Sequence, residues 1–298
     1  MGPRVEGMEQ RPLGETGLTV SALGFGAGHI GSSEQSEQDA FRVLDVALDL
    51  GINFIDTARG YGRSEEHIGR WLPAHRDEVL ISTKVGYDVE GEVDWSARAV
   101  TGGVDRALKT LRTDVLDVVF LHSCDLETLE RGEVIDALLS CRDAGKIRVV
   151  GYSGENDELA WAVSSGVFQA VQTSVNIVDQ ASLSRSVPTA AARAIGVVAK
   201  RPLANVAWRH GQRPHGIYGD EYWDRLQATG LQPQSGEWLG TAARFAVFAP
   251  GISTAIVGTS SPQHLIEAAS TLEHGPLPKD EVRRWTEAYQ AHSWPGDV

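Results

Sequence analysis

The chain has 298 residues, with 27 Lys plus Arg against 40 Asp plus Glu and a net charge of -13, a poor electrostatic match for nucleic acid or an anionic membrane. With 42% hydrophobic residues it can bury a large core, and two cysteines, Cys124 and Cys141, are too few for a disulfide framework. The opening MGPRVEGMEQ lacks an apolar leader segment, so residues 1–10 are expected to be disordered or cloning-derived and the protein to be cytoplasmic.

In chain order, Arg11 to Val20 reads as a small hairpin turning at Gly14 and Gly17, placed to plug the floor of whatever follows. Short apolar, β-branched runs then alternate with helix-period segments. The predicted strands are 22–26, 53–57, 79–84, 116–122, 149–153, 170–174, 197–200 and 255–258. Between them lie predicted helices at 37–50, 100–111, 134–142, 159–164, 189–193, 239–248 and 263–269, and an amphipathic helix opens after Tyr61. Such alternation implies parallel strands with right-handed crossovers. Eight repeats point to an α/β fold of the (β/α)8 TIM-barrel type rather than a doubly wound sheet. No linker or composition shift divides residues 1–298, so one domain is expected. The stretch 202–236 after the seventh strand carries Trp208, Tyr218, Tyr222 and Trp223, and it reads as a long, aromatic, pocket-forming loop.

In barrels of this kind the site lies at the C-terminal strand ends. There the second strand ends near Asp56 and Tyr61, the third on Lys84 and the fourth on His122. Each alone has an ordinary structural use: a turn cap, a snorkelling lysine, a satisfied strand-end histidine. Three adjacent strands bringing acid, phenol, amine and imidazole to one rim points to chemistry. A phenol is a weak acid with a reference pKa near 10, and a neighbouring ammonium favours its ionised form. A carboxylate would hold that ammonium, and a neutral imidazole would orient a substrate oxygen. The set suits proton donation to an oxygen becoming an alkoxide.

The pattern Asp56-Thr57-Ala58-x-x-Tyr61-Gly62-x-Ser64-Glu65-x-x-Ile68-Gly69, with Thr83-Lys84-Val85-Gly86 and Leu121-His122, resembles the signature of the aldo-keto reductase superfamily. The resemblance spans nearly the whole chain. It implies Tyr61 as general acid/base tuned by Lys84 and Asp56, with His122 orienting a carbonyl. It also implies an NAD(P)-dependent oxidoreductase acting on a small aldehyde, ketone or sugar, with NADP(H) favoured and NAD(H) possible. Gly26 and Ala27 would lie near the nicotinamide, Ser153 and Gln172 would bind its carboxamide, and Pro202 and Leu203 would pass the pyrophosphate. Gly258, Thr259 and Ser260 precede a helix start capped by Ser261 and Pro262. On the residues alone that is an ordinary capped helix or an anion site equally; the resemblance implies phosphate.

The sequence departs from the family pattern at several places. Gly154 stands where asparagine is usual, and Lys200 where an aromatic stacks on the nicotinamide, followed by Arg201; the two cations would face a cofactor phosphate or an acidic substrate. His264 stands at the place of a phosphate-binding arginine, while Glu267 is kept. Trp95, Trp208, Tyr218 and Trp223 are expected to wall the substrate pocket. No metal site and no nucleic-acid or membrane partner is expected. Two rival readings stand beside the enzyme: a nicotinamide-binding sensor or channel-associated subunit with little turnover, and a phosphate-binding barrel lyase or isomerase without nicotinamide.

Overall fold

The structure is a computed structural model that describes residues 7–216, 219–292 and 294–296. An antiparallel hairpin, β1 (Gln10–Pro12) and β2 (Thr19–Ser21), precedes eight strands: β3 (Leu23–Gly26), β4 (Phe54–Asp56), β5 (Leu80–Val85), β6 (Leu116–His122), β7 (Ile147–Ser153), β8 (Ala170–Ser174), β9 (Gly196–Lys200) and β10 (Thr254–Gly258). These eight are parallel, and β10 pairs back onto β3, so the sheet closes and leaves no edge.

The two-residue period of a strand explains why the predicted runs are almost wholly apolar. Phe54, Val118, Phe120, Val149, Ala170, Val198 and Ile256 point into the barrel and pack on one another. Their chain neighbours Ile55, Val119, Val150, Val171, Val197 and Val257, with Ile81 of β5, point outward into the core beneath the helices. Leu13, Leu18 and Val20 of the hairpin join the interior set and close the floor. Arg11 anchors the hairpin by donating to the carbonyl of Val247 at 2.7 Å, at the C-terminal end of the helix Trp238–Val247.

The N-terminal expectation needs correction. Gln10 pairs with Ser21, and the Ala22 amide donates to Glu9 O, so strand pairing orders the chain from there; residues 1–6 lie outside the described residues. Helices fall close to the predicted ranges. Those at Glu37–Asp49, Ala97–Leu111 and Pro262–Thr271 open on Ser36, Ser96 and Ser261, whose hydroxyls accept an amide of the first turn.

The segment 202–236 is more structured than a loop. It forms a 3-10 stretch, Ala204–Arg209, and a helix, Glu221–Thr229. With Trp238–Val247 and the helix Lys279–Gln290, it encloses a satellite core around Tyr222, Phe245 and Trp285. No helix among the described residues is long and apolar enough to cross a membrane.

Candidate active site

At the C-terminal mouth of the barrel lies a cleft of about 610 Å³ bordered by Tyr61, His122, Ser153, Gln172, Lys200 and the side-chain-free Gly26 and Gly258. On one wall Asp56 ends β4 with its carboxylate fully engaged. Oδ2 accepts Lys84 Nζ at 2.7 Å, while Oδ1 accepts Ser82 Oγ at 2.7 Å and Gln172 Nε2 at 2.9 Å. Lys84 also donates to Thr57 O and places its ammonium 4.8 Å from the centre of the Tyr61 ring. Burial works to discharge this lysine; the facing Asp56 and Tyr61 outweigh it, and its pKa is raised above the usual lysine range.

Tyr61 is fixed by backbone interlock. The turn 58–61 closes with Tyr61 N on Ala58 O, and the Arg63 amide donates to Gly31 O. A β-carbon at Gly31 would lie 1.7 Å from Tyr61 O, so only glycine fits there. Ser64 opens the helix Ser64–Trp71 and ties the turn to the β3 loop by donating to Ala27 O at 2.8 Å.

His122 ends β6, edge-on to Tyr61 with ring centres 6.3 Å apart. Burial first, then the charges of Lys84 and Lys200, push its pKa down to about 3, so its imidazole is neutral. Its Nδ1 shares a hydrogen bond of 2.8 Å with the Tyr87 hydroxyl. Tyr87 keeps its proton, since burial first and then Tyr61 raise its pKa. With Tyr87 donating, the Nε2–H of His122 remains for a ligand oxygen. Tyr87 was not among the sequence candidates; its one signal was its place just past the lysine strand.

On the facing wall Ser153 Oγ donates to Gln172 Oε1 at 3.1 Å, which aligns the amide that reaches Asp56. Lys200, at the end of β9, pairs with Glu155 Oε1 at 3.1 Å. Glu155, also outside the sequence candidates, further accepts the amide and hydroxyl of Ser174 and the hydroxyl of Thr173. Arg201 adopts a left-handed backbone with φ of 55° and donates to Ser174 Oγ at 3.0 Å. Pro202 and Leu203 continue that wall. Gly154 leaves room for Tyr152, whose hydroxyl would sit 2.5 Å from a β-carbon there and instead donates to Cys124 O. The buried Cys124 thiol is pushed up to about 12, first by burial and then by Asp125, so it is inert.

Other candidates fall away from the cleft lining among the described residues. The methyl of Ala27 is buried and its amide is spent on Asp56 O, so Gly26 and Gly28 border the cleft instead. Thr259 is turned inward and accepts the Ser261 amide, while Ser260 is exposed. His264 is exposed on the helix that follows, where Glu267 accepts Gln263. The aromatic wall is corrected as well. Trp208 stacks on Trp238 at 5.6 Å and Trp223 donates its indole N–H to His210 O, both packed against the satellite core, where one face of each flat apolar ring is shielded from water. Trp95 packs on Tyr87 at 5.9 Å, behind the lining. Tyr218 lies outside the described residues.

The groups present fit a nicotinamide dinucleotide. Gln172 and Ser153 keep unused hydrogen-bonding capacity for a carboxamide, and Gly26 and Gly258 leave flat walls. Lys200 and Arg201 add positive charge beside them.

Comparison with known proteins agrees with the fold. The aldo/keto reductase family model matches residues 22–290. The chain belongs to the aldo/keto reductase family and is an oxidoreductase. It is 34% identical to L-galactose dehydrogenase of Arabidopsis thaliana over 211 residues, 66% of either chain. It is 26% identical to D-threo-aldose 1-dehydrogenase of a Pseudomonas species, over 85% of this chain and 89% of that one. An aldo-keto reductase from Bacillus halodurans in its holo form superposes with a TM-score of 0.81 at 25% identity, covering 95% of this chain and 96% of that one.

Proposed function

We propose that the protein transfers hydride between a nicotinamide dinucleotide, NADP(H) in the first instance, and the carbonyl or alcohol carbon of a small aldehyde, ketone or sugar. The observation that carries the reading is the Tyr61 phenol, held over the buried Lys84–Asp56 pair and edge-on to a neutral His122 in one open cleft. The sugar dehydrogenases among the relatives support a hydroxylated substrate.

The dinucleotide, when bound, supplies or accepts the hydride. The remaining steps belong to the chain. His122 Nε2–H would hydrogen-bond the carbonyl oxygen and aim it at Tyr61. The phenol would hand its proton to that oxygen as the carbonyl carbon is reduced, and take it back in the oxidation. Lys84 stabilises the phenolate left behind, and Asp56 keeps Lys84 charged and in place. Ser153 and Gln172 would hold the carboxamide.

The test is Tyr61→Phe, which removes one hydroxyl. Turnover of a carbonyl panel is expected to fall by about 10²–10⁴-fold, while tryptophan-quenching titrations with NADPH and NADH stay within about twofold of wild type. Retained kcat in that variant would defeat the mechanism.

A further inference from the structure

Lys200 lines the cleft on the wall opposite Tyr61 and Lys84, since β9 stands four strands from β5 either way round the barrel. Its ammonium is held from behind. Glu155 is absent from the cleft lining and instead borders a small depression on the outer side with Asn156 and Arg185. Three further donors, Ser174 N, Ser174 Oγ and Thr173 Oγ1, fix that carboxylate. The pair therefore presents its positive end to the cleft. Asp56 is the one carboxylate among the described lining residues, and Lys84 already neutralises it. The wall nearest Lys200 is the one carrying Gln172 and Ser153: Ser174 pairs with Lys200 in register, and Gln172 sits two residues earlier on the same strand.

We propose that Lys200, backed by Glu155, makes the cleft discriminate between the oxidation states of its cofactor and favour the reduced form. This rests on reading the cleft as a nicotinamide site. The oxidised pyridinium ring carries a unit positive charge that the dihydropyridine lacks, whereas the phosphates and riboses are common to both. A fixed cation beside the ring acts on that difference alone; a cation serving a phosphate changes both affinities together. Repulsion between the pyridinium and the near, positive end of this pair, reduced by the Glu155 carboxylate behind it, is worth up to about tenfold in affinity in a partly screened cleft. Lys200 already contributes to holding His122 neutral across the cleft, so its charge is felt there.

The experiment titrates wild type, Lys200→Met and Lys200→Arg with the oxidised and reduced dinucleotides separately, by tryptophan quenching and calorimetry. Wild type is expected to bind the reduced form about tenfold more tightly. Lys200→Arg keeps that ratio, and Lys200→Met compresses it by about fivefold, mainly by tightening the oxidised form. A tenfold change in the ratio equals about 30 mV in the potential of the bound two-electron couple. Equal weakening of both forms in Lys200→Met would assign the lysine to a phosphate and overturn the inference. So would an unchanged ratio, or a wild type that binds both forms alike. Failure of wild type to bind either form would overturn the nicotinamide reading itself, and this inference with it.

Discussion

Two lysine–carboxylate pairs stand on opposite walls of the barrel mouth, and their surroundings differ. Lys84 and Asp56 are 2.7 Å apart with side chains 0% and 2% exposed, buried beneath Tyr61 with only the neutralised carboxylate bordering the cleft. Lys200 and Glu155 are 3.1 Å apart with side chains 16% and 6% exposed, and only the lysine reaches the cleft. A sealed pair yields little net stability, because desolvation offsets attraction; its use is to fix a neighbour's position and charge. A pair open at one end leaves a charge for a ligand to meet. Depth, more than residue type, separates a charge closed on its partner from a charge left open to a ligand.

The largest test of this contrast is Asp56→Asn, which keeps the shape and strands the buried ammonium. Stability is expected to fall by about 3–5 kcal/mol, read from denaturant melts, together with loss of turnover. Glu155→Gln should cost less, about 1–3 kcal/mol, because Lys200 can still reach water and an amide oxygen can still accept from Ser174. Equal costs would break the comparison.

A finer test reads His122 by NMR. Its imidazole is expected to titrate at about 3 in the folded protein. The unfolded imidazole titrates near 6.5, so between those values the unfolded chain binds the extra proton. The contribution of His122 to stability is thus complete above about pH 6.5 and is lost as pH falls toward 3; His122→Gln should flatten that slope. Lys84→Met is expected to raise the His122 pKa more than Lys200→Met does, matching the order of the two charges acting on it. The reverse order would place the open lysine nearer the imidazole than the structure has it.

The barrel was readable in the sequence because each strand is buried on both faces and so spells a short apolar run, and the eight such runs recur in β3 to β10. Asp56, Lys84 and His122 stood out for the same reason: each is a polar group at the end of a run that packing would have kept apolar. Where a residue's place depends on tertiary packing, the chain was less informative. Trp208 and Trp223 read as a ligand wall, but an aromatic ring serves a satellite core equally well, and composition does not separate the two. Glu155 was overlooked because an acid just before the helix Asn156–Ser165 looks like an ordinary first-turn carboxylate; its four partners come from β8 and β9. Helix Lys279–Gln290 was missed as well, since only Val282, Trp285 and Tyr289 mark its inner stripe in a mostly charged stretch.

The hairpin at the floor has a consequence for traffic. With Leu13, Leu18 and Val20 packed into the bottom of the barrel, the described residues leave the cleft open at the strand ends and closed below. Whatever enters at the strand ends leaves by the same opening, so an outgoing product and an incoming substrate must take turns. On the proposed reaction, turnover would depend on the order of exchange at the mouth as well as on the proton passed within it.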